Sequence, residues 1–129
     1  FQMTMSELAT IVENKLPVKF ALINNGFLGA VRQLQDLFFD RVRVAVEYTA
    51  NPDFVKLAEA FGIKAFRVTE RKQVNETIKM ALAHPGPALI DFQVETEENV
   101  YPHVPAGESL KEMLEESSMG LEGTVWRKK

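Results

Sequence analysis

Cysteine is absent from these 129 residues, so disulfides and thiolate metal sites are excluded and the redox compartment is left unconstrained. Histidine is scarce: His84 and His103 stand far apart, each beside a proline, with no partner at metal-ligand spacing, and both read as structural or surface groups. No apolar run approaches the ~20 residues that span a bilayer, and no basic-then-apolar leader opens the chain, so no membrane partner is expected. An excess of basic charge is lacking as well. Fifteen Lys and Arg face 18 Asp and Glu, net charge −3, mixed along the chain. That balance argues against a non-specific nucleic-acid binder, which needs a basic face to neutralise phosphates. The single tryptophan, Trp126, reads as a packing anchor rather than a stacking platform, and there is neither an internal repeat nor a low-complexity tract.

What is present is an ordinary globular composition, 46% hydrophobic and 26% charged, with enough chain for one core. The first residue is Phe rather than Met and lies just ahead of a helix start, as expected of a segment from a longer chain. Thr4 to Glu7 fits a capping box, and Met5, Leu8, Ile11 and Val12 follow at helical spacing up to Leu16-Pro17. Residues 18–23 are almost continuously apolar, as in a strand covered on both faces. Beyond Gly26 and Gly29, the residues Val31, Leu34, Leu37 and Phe38 mark a helix with one apolar face. Residues 41–48 alternate as a strand does, although their place between two helices equally allows a loop; the pattern slightly favours strand.

Asn51, with Pro52 at the first helical position, is expected to cap the next helix, whose stripe is Phe54, Leu57, Ala58 and Phe61 and whose end is Gly62. A second strand covers 63–68. Thr69 is expected to cap a helix with Val74, Ile78, Ala81 and Leu82 inward, and 88–94 is a third strand. Helices alternating with strands imply parallel pairing. The fold class is therefore α/β, a partial doubly wound parallel sheet with flanking helices. Residues 1–95 carry this pattern; 96–129 form a C-terminal tail with one short helix over 108–116.

In such sheets ligands sit beyond the carboxyl ends of the strands, and Asn24-Asn25-Gly26 stands at one. Spacing alone favours a plain turn, since asparagine and glycine tolerate left-handed backbone. The functional reading is that a carboxamide oxygen is a neutral, hard ligand for a divalent cation carrying phosphates. Gly26-x-x-Gly29 is too short for a dinucleotide fingerprint, and no Walker lysine follows. Glu95, Glu97 and Glu98 read as a solvated acidic loop.

Three stretches, FQMTMSELATIVENKLPVKFALINNGFLGAVRQLQ, PDFVKLAEAFGIKAFRVT and PALIDFQVETEENVYPHVPAG, together resemble the catalytic subunit of acetohydroxyacid synthase, also called acetolactate synthase. The resemblance implies the C-terminal part of a thiamine diphosphate-binding domain. It implies a reaction that joins two 2-ketoacids with loss of CO2 on the way to branched-chain amino acids. It further implies Mg2+ held by the side-chain oxygen of Asn25 and the backbone carbonyl of Phe27, with Asn25, Gly26, Phe27, Leu28 and Gly29 along the cofactor. The family's Gly-Asp-Gly, whose Asp is the charged metal ligand, does not occur in this sequence. The resemblance also implies that Ala30 and Leu34 fall on the substrate channel, where members often carry Met at the first position and most carry Trp at the second; on local grounds Leu34 is equally a core residue. Residues 41–48 lie where the family has a mobile loop, which weakens the strand reading, and Pro105-Ala106-Gly107 matches a segment folding over the channel.

No catalytic residue is expected within these residues. The activating glutamate is implied on the N-terminal domain of a neighbouring subunit, FAD on a central domain. A homo-oligomer, a regulatory small subunit and a cytoplasmic setting are also implied. The alternatives are a non-catalytic flavodoxin-like binding module, or another thiamine diphosphate enzyme such as pyruvate oxidase.

Overall fold

The computed structural model describes residues 1–115. In chain order they form α1 (Glu7–Glu13), β1 (Lys19–Asn24), α2 (Gly29–Phe38), α3 (Phe54–Ala60), β2 (Lys64–Val68), α4 (Val74–Ala83) and β3 (Ala88–Gln93), with short 3-10 turns at Gln2–Thr4, Arg71–Gln73 and Leu110–Glu112. Two compact units arise from interleaved segments. The first comprises Phe1–Asn25 and Ala50–Glu95, the second Gly26–Thr49 and the described residues from Thr96 on.

The first unit holds the sheet. Its strands are all parallel in the order β1-β3-β2, so β3 is central and pairs on both edges. The pleat of β3 sends Leu89 to one face and Ala88 and Ile90 to the other. On the first face Leu89 and Ala65 pack with Leu8 of α1 and with Phe54, Ala58 and Ile63 of and after α3. On the second, Ala88, Ile90 and Val68 pack with Ala81 of α4. Helices thus cover both faces, as expected of a doubly wound sheet. Leu89 is fully buried, and a leucine so placed contributes about 2 kcal/mol through the hydrophobic effect.

Several element ends differ from the sequence expectation. The capping box at Thr4 is not formed: its hydroxyl donates to the Phe1 carbonyl (3.2 Å) within the 3-10 turn, and Ser6 precedes α1 without a side-chain cap bond. α1 ends before Leu16-Pro17. Lys15 takes a left-handed φ of 54°, Leu16 N–H bonds the Ile11 carbonyl and Lys15 N–H that of Val12, which together make a Schellman stop. Asp53, not Asn51, caps α3, accepting from Val55 N–H (3.1 Å) and Lys56 N–H (3.2 Å). A carboxylate is the stronger acceptor there. Glu70, not Thr69, makes a reciprocal capping box with Gln73 ahead of α4. The inward stripe of α4 runs through Val74, Thr77 and Ala81, while Ile78 and Leu82 are exposed. The small Ala81 side chain lets that stripe approach the sheet closely.

The second unit contains α2, and residues 41–48 form no strand. Asp40, Arg41 and Ala45 have positive φ, which no extended run accommodates, and Glu47 alone makes an isolated bridge, with Phe27. The expected helix over 108–116 is one 3-10 turn, Leu110–Glu112, among the described residues. Ser109 and Glu112 close a capping box on it, and Met113 turns extended so that Leu114 bridges His103. Residue 116 and those beyond, Trp126 included, lie outside the described residues.

Candidate functional site

Parallel pairing aligns Asn24 with Gln93 at the carboxyl edge of the sheet. Asn24 is the last residue of β1, Asn25 follows, and Gly26 then turns the chain at φ 74°. The Asn24 carboxamide is engaged at both ends: Nδ2 donates to Asp91 Oδ1 (3.0 Å), and Oδ1 accepts from Asn51 Nδ2 (3.3 Å). Its backbone carbonyl accepts from Val94 N–H (3.1 Å). Asp91 is the single charged residue of β3 and is 1% exposed. Its second oxygen accepts from Gln93 Nε2 (2.8 Å) and Arg67 Nε (3.3 Å), so the buried charge is paired and hydrogen-bonded. Arg67 also reaches Asp53 Oδ1 (2.6 Å). The Lys56 backbone N–H, then Arg67, holds the Asp53 carboxyl below the usual carboxylate range.

In the second unit, Gly26 to Gly29 leads into α2. Tyr48 N–H donates to the Gly26 carbonyl and Leu28 N–H to that of Val46, both at 2.8 Å. These bonds belong to the neighbours of Phe27, so its own carbonyl turns to the opposite edge of that short ribbon. Behind it lies a dense polar cluster. Arg32, 1% exposed, donates to Asp36 Oδ2 (2.8 Å), the Glu98 carbonyl (2.6 Å) and Asn99 Oδ1 (2.8 Å). Arg43 grips the same Asp36 carboxylate through Nε (2.8 Å) and a terminal nitrogen (2.9 Å), and reaches Glu97 (2.9 Å). Arg43, opposed by partial burial and aided by Arg32, holds the Asp36 carboxyl below its usual range. Gln33 exchanges two hydrogen bonds with the Val100 backbone, 2.9 and 2.8 Å. Both guanidiniums lie against the Phe27 ring, at 6.0 Å for Arg32 and 5.6 Å for Arg43.

The predicted site residues therefore divide: Asn25 ends a segment of the first unit, while Gly26, Phe27, Leu28, Gly29, Ala30 and Leu34 belong to the second. Ala30 and Leu34 are exposed, as is Val31. Of the apolar stripe expected of α2, Leu37 is buried and Phe38 half-buried, whereas Val31 and Leu34 are exposed and Arg32 and Gln33 are buried in their place. Residues 98–100 supply the buried pair with carbonyl, amide and carboxamide partners, although Arg32 Nε itself has none. No group of three or more acidic, histidine or cysteine side chains capable of holding a metal occurs among the described residues. A carboxamide and a peptide carbonyl are hard, neutral oxygens, and so suit Mg2+ brought in with phosphates rather than a metal held by protein charge.

Sequence reasoning missed the Arg32–Asp36–Arg43 cluster and Asp91. Arg32 and Asp36 at i, i+4 spacing on α2 were one signal. The lone acid inside ALIDFQ was the other, since a charge in a strand covered on both faces must be paired.

Residues 1–92 match the family model described as thiamine pyrophosphate enzyme, C-terminal TPP binding domain. The chain is 47% identical over 115 residues to an acetolactate synthase large subunit of Porphyra purpurea, covering 88% of this chain and 20% of that protein. It is 42% identical over 118 residues to the acetolactate synthase isozyme 2 large subunit of Escherichia coli, covering 92% and 22% respectively. It is similar in structure to a thiamine diphosphate-dependent 4-hydroxybenzoylformate decarboxylase of Rhodococcus jostii, with a TM-score of 0.68 and 26% identity over 75% of this chain and 18% of that one. The chain spans about a fifth of the length of the curated relatives it matches.

Proposed function

From the premise that the chain belongs to the C-terminal TPP-binding domain family of thiamine pyrophosphate enzymes, we propose that it is the C-terminal part of an acetolactate synthase catalytic subunit. The observation that carries this is the reach of its likeness to acetolactate synthase large subunits, 88–92% of the chain and so beyond the 92 residues of the general family match. A flavodoxin-like binding module is not favoured by these matches.

In this reading the Asn25 side-chain oxygen and the Phe27 carbonyl hold Mg2+, and Asn25, Gly26, Phe27, Leu28 and Gly29 line the cofactor diphosphate. The carboxyl edge of a parallel sheet, followed by a glycine with positive φ, is a usual place for such contacts. Thiamine diphosphate, when bound, supplies the electron sink that decarboxylation of a 2-ketoacid requires. The chain's own work is to orient it through the metal and to bring Ala30 and Leu34, both exposed on α2, to the substrate path. Residues 1–95 serve as the C-terminal part of the diphosphate-binding domain and 96–129 as its tail. The remaining parts of the reading are 2-ketoacid substrates, an N-terminal domain of a neighbouring subunit completing the site, FAD on a central domain, a homo-oligomer with a regulatory small subunit, and a cytoplasmic setting.

The test is to assay the full-length protein for acetolactate from pyruvate, with and without thiamine diphosphate and Mg2+. Acetolactate formed only with both supports the reading. Acetaldehyde or acetate in its place overturns it in favour of a decarboxylase or oxidase.

A further inference from the structure

The two asparagines at the end of β1 do different work, and the division is set by a buried acid on the neighbouring strand. We propose that Asp91 is a positioning residue for the cofactor metal: by fixing Asn24 it presents Asn25 as the ligand. The inference rests on the reading that Asn25 donates to Mg2+.

An ionised carboxylate only accepts hydrogen bonds, so the Asn24 carboxamide must turn its NH2 toward Asp91. Its oxygen then faces outward and accepts from Asn51. With both ends of that carboxamide engaged inside the first unit, Asn24 is committed to structure and the ligand role passes to the next residue. The acid is itself immobilised. It sits on the central strand, paired on both edges, and its other oxygen is held by Arg67 and Gln93. Arg67 is held in turn by Asp53, the cap of α3. The end of β1 is therefore pinned twice, through its side chain to Asp91 and through its carbonyl to Val94 N–H. One attachment leads to β3 and the other to the residue that follows it, and Asn25 begins one bond later.

Groups that orient a metal ligand without touching the metal contribute roughly 10–100-fold to metal affinity. The measurement is calorimetric titration of the metal-free, full-length protein with Mg2+ at saturating thiamine diphosphate, for Asn24→Ala, Asp91→Asn, the double variant and Asn25→Ala. Asp91→Asn keeps the volume but faces at least one of its three donors with an amide, so the arrangement breaks without a cavity. Each single variant is expected to weaken Mg2+ by about tenfold or more. The double variant should be no weaker than the worse single, because both residues act through one link; independent, merely structural losses would multiply instead. Unchanged Mg2+ affinity in Asn24→Ala and Asp91→Asn, alongside a loss in Asn25→Ala, overturns the positioning role. Unchanged affinity in Asn25→Ala overturns the ligand reading, and the inference with it. Should Asp91→Asn not fold, Asn24→Ala, at a half-buried position, carries the comparison with Asn25→Ala alone.

Discussion

Asp36→Asn is the sharpest perturbation of the second unit. The Asp36 carboxylate takes three charge-assisted bonds, two from Arg43 and one from Arg32, all at 2.8–2.9 Å, and its side chain is 7% exposed. Hydrogen bonds to a charged group contribute about 1.5–3 kcal/mol each when buried. The Arg43 side chain is 27% exposed, so water offsets part of its share. The amide retains one acceptor oxygen, and Arg32 keeps its bonds to the Glu98 carbonyl and Asn99. The net loss then comes to about 2 kcal/mol, concentrated on residues 40–48, which Arg43 ties to α2. The bond of Arg43 to Glu97 stands in water and replaces little of it.

Hydrogen-exchange mass spectrometry of the full-length protein reads this directly. The Tyr48 amide, bonded to the Gly26 carbonyl, is expected to exchange about 30-fold faster, at 1.4 kcal/mol per tenfold. The pH sign follows from the direction of the shift. The Asp36 carboxyl is held below its usual 3.8, so its contribution is complete above that value and is lost as pH falls through the lower folded value. Protection should thus be unaltered between about pH 5 and 7, after correction for intrinsic exchange. Wild-type protection in Asp36→Asn would refute the view that this carboxylate holds the loop.

Lys15 occupies the left-handed position of the α1 stop at φ 54°, where glycine is at ease, so Lys15→Gly should stabilise by about 0.5–1 kcal/mol, read as a higher melting temperature. On the proposal that Asn25 and Phe27 supply the metal ligands, the 129-residue chain contributes only neutral oxygens and contains no Gly-Asp-Gly, so titration with thiamine diphosphate and Mg2+ should show weak binding or none; micromolar binding contradicts this. On the proposal that Leu34 lines the substrate path, its exposed side chain presents less surface than tryptophan would, so inhibitors that block that path should act less on the full-length protein than on its Leu34→Trp variant, and equal inhibition removes Leu34 from the path.

The sheet was legible because its strands are rich in apolar residues at 18–23, 63–68 and 88–94 and are separated by helical spacing. Burial on both faces, expected for 18–23, is instead a property of the central β3: β1 is an edge strand whose Ala21 and Ile23 are exposed. The second unit was not, because it is held by partners distant in sequence. Arg32 and Gln33 are buried by backbone groups some 67 residues away, and no local pattern announces that. The alternation at 41–48 misled for the same reason: Arg43 points to Asp36 and Glu97, and the positive φ at Ala45 ends any extended run. Asn24 and Asn25 show the limit of spacing most plainly. As adjacent identical residues they carry equal signal in sequence, and either could make a turn or bind a cation. The family resemblance singles out Asn25, and what the structure adds is the acid that reaches Asn24 from a strand 67 residues later. That acid can be read beforehand as a charge in need of a partner, but which partner it has depends on parallel register, and register is a property of the folded sheet.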